Sequence, residues 1–139
     1  MGYTNLNILK MDTGSHEGTW GTQTNYNWDR IDSFVSGYIE IEVGTATAWS
    51  LDTTQDATPV TGSTSTDSSG DGWNRVIKFT GNPSSSPLTV TINPSSKAKW
   101  YIVENALTGT QSITFTQGST TASLAKGSST IIYCTGTCI

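Results

Sequence analysis

Residues 20–43 read WGTQTNYNWDRIDSFVSGYIEIEV, and the spacing of apolar side chains within them changes once, at Gly37. Before that glycine the spacing is helical. Trp20, Thr24, Trp28, Ile31, Phe34 and Val35 fall within an arc of about 120° on a helical wheel, with Thr22, Asn25, Asp29 and Ser33 opposite. Thr19 or Gly18 can cap the start of such a helix, and Gly37 can stop it. The tryptophans thus belong to the packing face of an amphipathic helix of about four turns, set against a sheet or a neighbouring subunit. After Gly37 the period is two. Ile39, Ile41 and Val43 take one face of an extended segment, and Glu40 and Glu42 take the other.

The same alternation recurs downstream. Strands are predicted at 47–51, 73–80, 88–92, 100–104, 112–116, 121–124 and 130–134. They are separated by turn residues such as Gly81-Asn82-Pro83, Asn93-Pro94, Thr108-Gly109, Gln117-Gly118 and Lys126-Gly127. Short strands at nearly regular intervals predict a mainly β protein: a β-sandwich, jelly-roll-like, with one N-terminal amphipathic helix. The chain divides into an arm and helix over 1–37 and a sandwich over 38–139, together one compact domain. Residues 52–72, DTTQDATPVTGSTSTDSSGDG, are rich in Ser, Thr, Gly and Asp and are expected to form an exposed loop.

Composition narrows the function classes. At 139 residues the chain is long enough for one core without a staple. Only 13% of residues are charged, and the net charge of −4 comes with seven scattered basic side chains. No basic stripe exists to neutralise a phosphate backbone, which argues against nucleic acid. No apolar run is long enough for a membrane span, and the opening MGYTNLNILKMDTG lacks the layout of a secretory signal. Leu6 stands where a myristoylation motif needs Ser or Thr. Synthesis in a cytoplasm follows as the expectation.

Catalytic inventories are thin. His16 is the only histidine, no serine lies in a Gly-x-Ser-x-Gly elbow, and no phosphate-cradling glycine loop joins a strand to a helix. Glu40 and Glu42 share a face that reads as solvated, and Asp67 and Asp71 lie in the expected loop. The run DSSGDG has the composition of a calcium loop without its ligand order. No enzyme activity, metal or cofactor is expected. Cys134 and Cys138 close the chain as CTGTC, and reduced thiols are preferred over a disulfide for a cytoplasmic product. Trp49 and Trp73 flank the loop 52–72. They either stack on a sugar or a partner surface, or pack inward, one from each sheet.

The segment TWGTQTNYNWDRID, introduced by NLNILKMDTG, resembles a recurrent element of tailed-bacteriophage virion proteins. The C-terminal half, WYIVENALTGTQSITFTQG followed by TASLAKGSSTIIYCTGTCI, is similar to a phage pattern of a Tyr-Ile-Val strand, an Asn-x-x-x-Gly turn, an Ile-Thr strand and a closing strand with a glycine turn. Thr135 departs from that pattern, standing where an acidic residue often precedes the glycine.

The resemblance implies a structural component of the virion, on the outer surface of the particle and made in the host bacterial cytoplasm. The role expected first is a capsid cement or decoration protein that bridges capsid subunits. Its partners are then the major capsid protein and identical subunits in a homotrimer. The alternative is a tail- or head-fibre adhesin module that binds a host glycan. Trp20, Trp28, Ile31, Phe34 and Val35 are the expected helix-packing or subunit-interface residues, and Trp49 and Trp73 the expected partner or glycan contacts.

Overall fold

The computed structural model describes residues 2–4, 6, 8–53, 64–66 and 70–139. The protein is mainly β, with two mixed sheets and one long helix. A two-stranded antiparallel pair, β1 (Gly2–Tyr3) and β2 (Leu9–Lys10), comes first. The helix α1 (Trp20–Ser36) follows, so it is not the N-terminal element that the sequence suggested. Then come β3 (Tyr38–Glu42), β4 (Ala48–Asp52), the short β5 (Thr64–Ser65) and a 3-10 turn at Asp71–Trp73. The remaining strands are β6 (Val76–Thr80), β7 (Leu88–Asn93), β8 (Lys99–Asn105), β9 (Ile113–Gln117), β10 (Thr120–Leu124) and β11 (Ser129–Cys134).

The strand order is β11-β8-β6-β3-β5 in one sheet and β10-β9-β7-β4 in the other. From β6 to β9 the chain changes sheets at every strand, so each new strand joins its sheet parallel to the one laid down before. β6 pairs parallel with β3, β7 with β4, β8 with β6 and β9 with β7. The coil then reverses: β10 folds back on β9, and β11 closes antiparallel on β8. The antiparallel jelly-roll order is therefore replaced by a short parallel coil with an antiparallel end. Alternating strands with one solvated face read the same in either arrangement, and the connections between sheets decide it.

Inward rows from both sheets meet in one apolar cluster. Ile39, Ile41, Ile77, Phe79, Tyr101 and Val103 come from one sheet, and Leu51, Leu88, Val90, Ile92, Ile113 and Phe115 from the other. Phe79 and Phe115 meet across it edge to face, with centroids 5.9 Å apart. Burying a side chain of this size contributes about 1.5–3 kcal/mol, so this row-on-row contact is the main source of stability.

Two expectations about the ends of the sheets are corrected. Most of the expected loop 52–72 lies outside the described residues, but Thr53 and the stretch Gly70–Gly72 are buried rather than exposed. A Cβ on Gly72 would lie 2.8 Å from the Asp52 carbonyl oxygen, so only glycine permits this approach. The two cysteines are not free thiols. A turn through Gly136 (φ +88°) brings Cys138 opposite Cys134, with Cα atoms 4.1 Å apart, and the two are joined as a disulfide.

Candidate functional site

The helix holds the sheets by a different face from the one its apolar pattern marks. Its buried residues are Arg30, Ser33 and Phe34. Phe34 sits against Trp73 and Tyr101, with centroids 6.4 Å from each. The Arg30 guanidinium lies 5.0 Å from the Trp73 ring centroid. One turn earlier, the Asn27 carboxamide works like a strand edge: it accepts from the Leu9 N–H (3.2 Å) and donates to the Leu9 carbonyl (3.0 Å). Polar residues with fixed partners thus occupy the inner face. Trp20, Trp28 and Val35 are left 63%, 64% and 73% exposed, and Ile31 is half-buried. Of the five expected helix-packing residues, only Phe34 is buried.

Gly37 ends the helix as expected, for a different reason. Its φ of −67° is ordinary, but a Cβ there would lie 2.5 Å from the Ser33 carbonyl oxygen and 2.7 Å from Asn74 Oδ1.

Trp73 is also corrected. It is wholly buried and cannot meet a ligand from solvent. Trp49 behaves differently. On β4 it packs against the core while its indole Nε1 donates to Asp71 Oδ2 at 3.0 Å, which fixes the ring. It also lines a groove of about 790 Å3 with Ala46, Ala48, Ser50, Thr66, Thr91 and Asn93. Asn93 Nδ2 donates to Ser50 Oγ at 2.8 Å, so two polar side chains on adjacent strands are pre-aligned at that groove.

A second surface was not anticipated. On the outer face of the five-stranded sheet, Ile102 of β8 faces Ile131 of β11, and Trp100 faces Tyr133. Val76 of β6 extends the first row to Tyr38 of β3. Ile139 extends the second, because its backbone exchanges two hydrogen bonds with Tyr133. Ile131 and Ile139 are 62% and 79% exposed, and Trp100, Ile102, Tyr133 and Tyr38 lie between 37% and 45%. The sequence signal was available in WYIVE and TIIY, where the outward positions are as apolar as the inward ones.

The acidic residues weighed as catalytic have structural partners. Glu40 pairs with Lys78 at 3.6 Å, and Glu42 accepts from the Gly44 N–H and the Thr80 hydroxyl. Asp67 lies outside the described residues. Among the described residues no group of three or more His, Cys, Asp or Glu side chains converges as a metal site, and no helix is long and apolar enough to cross a membrane. Comparison with protein-family models, curated proteins and solved structures finds no match to this chain.

Proposed function

We propose that this chain is a non-enzymatic structural component of a tailed-bacteriophage particle. In this reading it is a cement protein on the outside of the capsid that bridges capsid subunits. The virion half rests on the resemblance of TWGTQTNYNWDRID and of the C-terminal strands to phage proteins. The docking half rests on one observation: the contiguous outward apolar row Tyr38–Val76–Ile102–Ile131, exposed except at the half-buried Val76, with Trp100–Tyr133–Ile139 beside it. Contiguous apolar surface of this kind marks protein–protein contact. The exposed Trp20, Trp28 and Val35 on α1 add further apolar surface. A bridging protein needs more than one adhesive surface, and many such contacts raise avidity without a tight single site.

Identical subunits, assembled as a trimer, and the major capsid protein are the partners of this reading. The two sheets with their shared core are read as a β-sandwich of mixed topology. Quantifying the protein in purified particles tests the assignment. Capsid-like stoichiometry supports a cement protein, fibre-like stoichiometry of a few copies favours an adhesin, and absence from particles removes both.

The adhesin reading has its own support in the groove beside Trp49, where the paired Ser50 and Asn93 suit a small polar ligand such as a host glycan.

A further inference from the structure

We infer that the partner docked on the outer face of the five-stranded sheet presents an apolar protein patch bordered on one side by lysine or arginine. This deepens the docking half of the proposed function and rests on it for the use of that face.

The register sorts the outward side chains into rows. Trp100, Tyr133 and Ile139 form one, and Tyr38, Val76, Ile102 and Ile131 the next. Two residues further along the same strands, about 7 Å away, the character changes. Glu40 of β3 faces Lys78 of β6, and Lys78 faces Glu104 of β8. Glu42 follows Glu40 on the same side of β3. Along that flank of the apolar rows, three carboxylates share one ammonium.

The ammonium is already drawn to one side. Lys78 Nζ lies 3.6 Å from Glu40, and both side chains keep about a third of their surface in solvent. Glu42 is held by the Gly44 N–H and the Thr80 hydroxyl. Glu104 is exposed near the end of β8. On the opposite flank the Arg75 guanidinium is engaged with the Trp100 ring and with the Phe34 and Trp100 carbonyls. Lys126 stands past the end of the charged row, in the turn that leads into β11.

An apolar centre with a charged rim is the usual anatomy of a protein interface. A partner that covers the apolar rows brings its own border over the carboxylates. Removing water from Glu104 without a matching cation is costly, and a partner carboxylate placed there is repelled. Lysine or arginine supplies the missing charge. The acidic flank thereby selects the partner and sets its orientation on the sheet.

The test uses the purified full chain and two synthetic amphipathic peptides, one of leucine and lysine and one of leucine and glutamate. The leucine–lysine peptide is expected to bind, more weakly as salt is raised, with NMR shifts mapping to Ile102, Ile131, Lys78 and Glu104. Charge-matched variants separate placement from net charge. Glu104→Gln is expected to weaken binding about threefold and Lys78→Gln to tighten it about threefold, with melting temperature unchanged. Glu17→Gln and Lys10→Gln, at exposed positions ahead of α1, are expected to leave it unchanged. If a variant does not fold, the salt response and shift map of the wild-type protein decide. The proposal is overturned by preference for the leucine–glutamate peptide, by equal effects within a charge-matched pair, by shifts that map elsewhere, or by no binding up to roughly 1 mM. Particles purified without the chain are then incubated with it. Rebinding that falls with salt and with Glu104→Lys supports the proposal, and rebinding indifferent to both overturns it while the virion assignment stands. Peptide binding without rebinding to particles leaves the acidic-flanked face standing and removes the virion assignment.

Discussion

Arg75 sits over Trp100, its guanidinium carbon 3.6 Å from the ring centroid. The same guanidinium is 4.5 Å from the Phe34 ring, donates from Nε to the Phe34 carbonyl and from Nη1 to the Trp100 carbonyl, both at 2.7 Å. One side chain thus ties the end of α1 to β8. Lysine cannot make both bonds while stacking. Arg75→Ala is expected to lower stability by about 2–4 kcal/mol, from the stacking and two charge-assisted bonds together, and Arg75→Lys to recover less than half of that. Urea unfolding with an unchanged m-value measures both. A loss below about 1 kcal/mol for Arg75→Ala shows that the helix is held by other contacts.

The helix itself gives a paired comparison. Phe34 is buried against two rings, whereas Trp28 is largely exposed. Phe34→Ala is expected to cost about 3–5 kcal/mol, and Trp28→Ala within about 0.5 kcal/mol in the isolated chain. Equal losses in the two variants contradict the orientation of α1 described above.

Stability should rise with pH above neutrality. Burial pulls the Lys99 ammonium down to about 7, against the opposing effect of Asp52, and Lys99 Nζ donates to the Asn93 carbonyl. An unfolded lysine titrates near 10.5. Between those values the unfolded chain holds a proton that the folded chain has released, so stability increases with pH, by at most about 1.4 kcal/mol per unit. Burial also holds the Tyr101 phenol protonated well above its ordinary 10, with Arg75 partly offsetting, and its hydroxyl donates to the Gly72 carbonyl. Above about 10 the unfolded tyrosine ionises first and stability falls. Urea midpoints from pH 7 to 11 should therefore climb and then drop. Lys99→Met should flatten the climb, and a wild-type midpoint that declines from pH 7 to 10 contradicts the placement of Lys99.

Much of the core was legible because strand alternation reports burial directly. Ile39 and Ile41, Ile77 and Phe79, and Leu88, Val90 and Ile92 are all inward, as their spacing requires. What period two cannot encode is which strand lies beside which, so the parallel coil was invisible. The helix face was misread because Asn27, Arg30 and Ser33 are polar, and it takes partners such as the Leu9 backbone, the Trp73 ring and the Asp29 carbonyl to make their placement on the inner face favourable. The groove was half legible. Trp49 stood out as an indole, but Asn93 and Thr91 reach it only through the β4–β7 register. The outer apolar row was in plain view as WYIVE and TIIY, and was absorbed into the strand pattern.

The isolated protein is expected to self-associate through its apolar surfaces. Light scattering at micromolar concentration should give the mass of three chains, and Trp28→Lys, on the exposed face of α1, should reduce it to one. A wild-type monomer removes the trimer while leaving attachment to a different protein open to the measurement that follows.

In the cement reading proposed above, the Trp100–Ile102–Ile131–Tyr133 face attaches the protein to the capsid. The most direct measurement is the copy number of Ile131→Lys and Tyr133→Lys variants on purified particles, compared with wild type, after circular dichroism has shown each variant folded. Both side chains point outward, so the substitutions leave the core intact. Wild-type protein is expected at capsid-like stoichiometry, with both variants folded but lost from the particle. Folded variants incorporated at the wild-type level would contradict it.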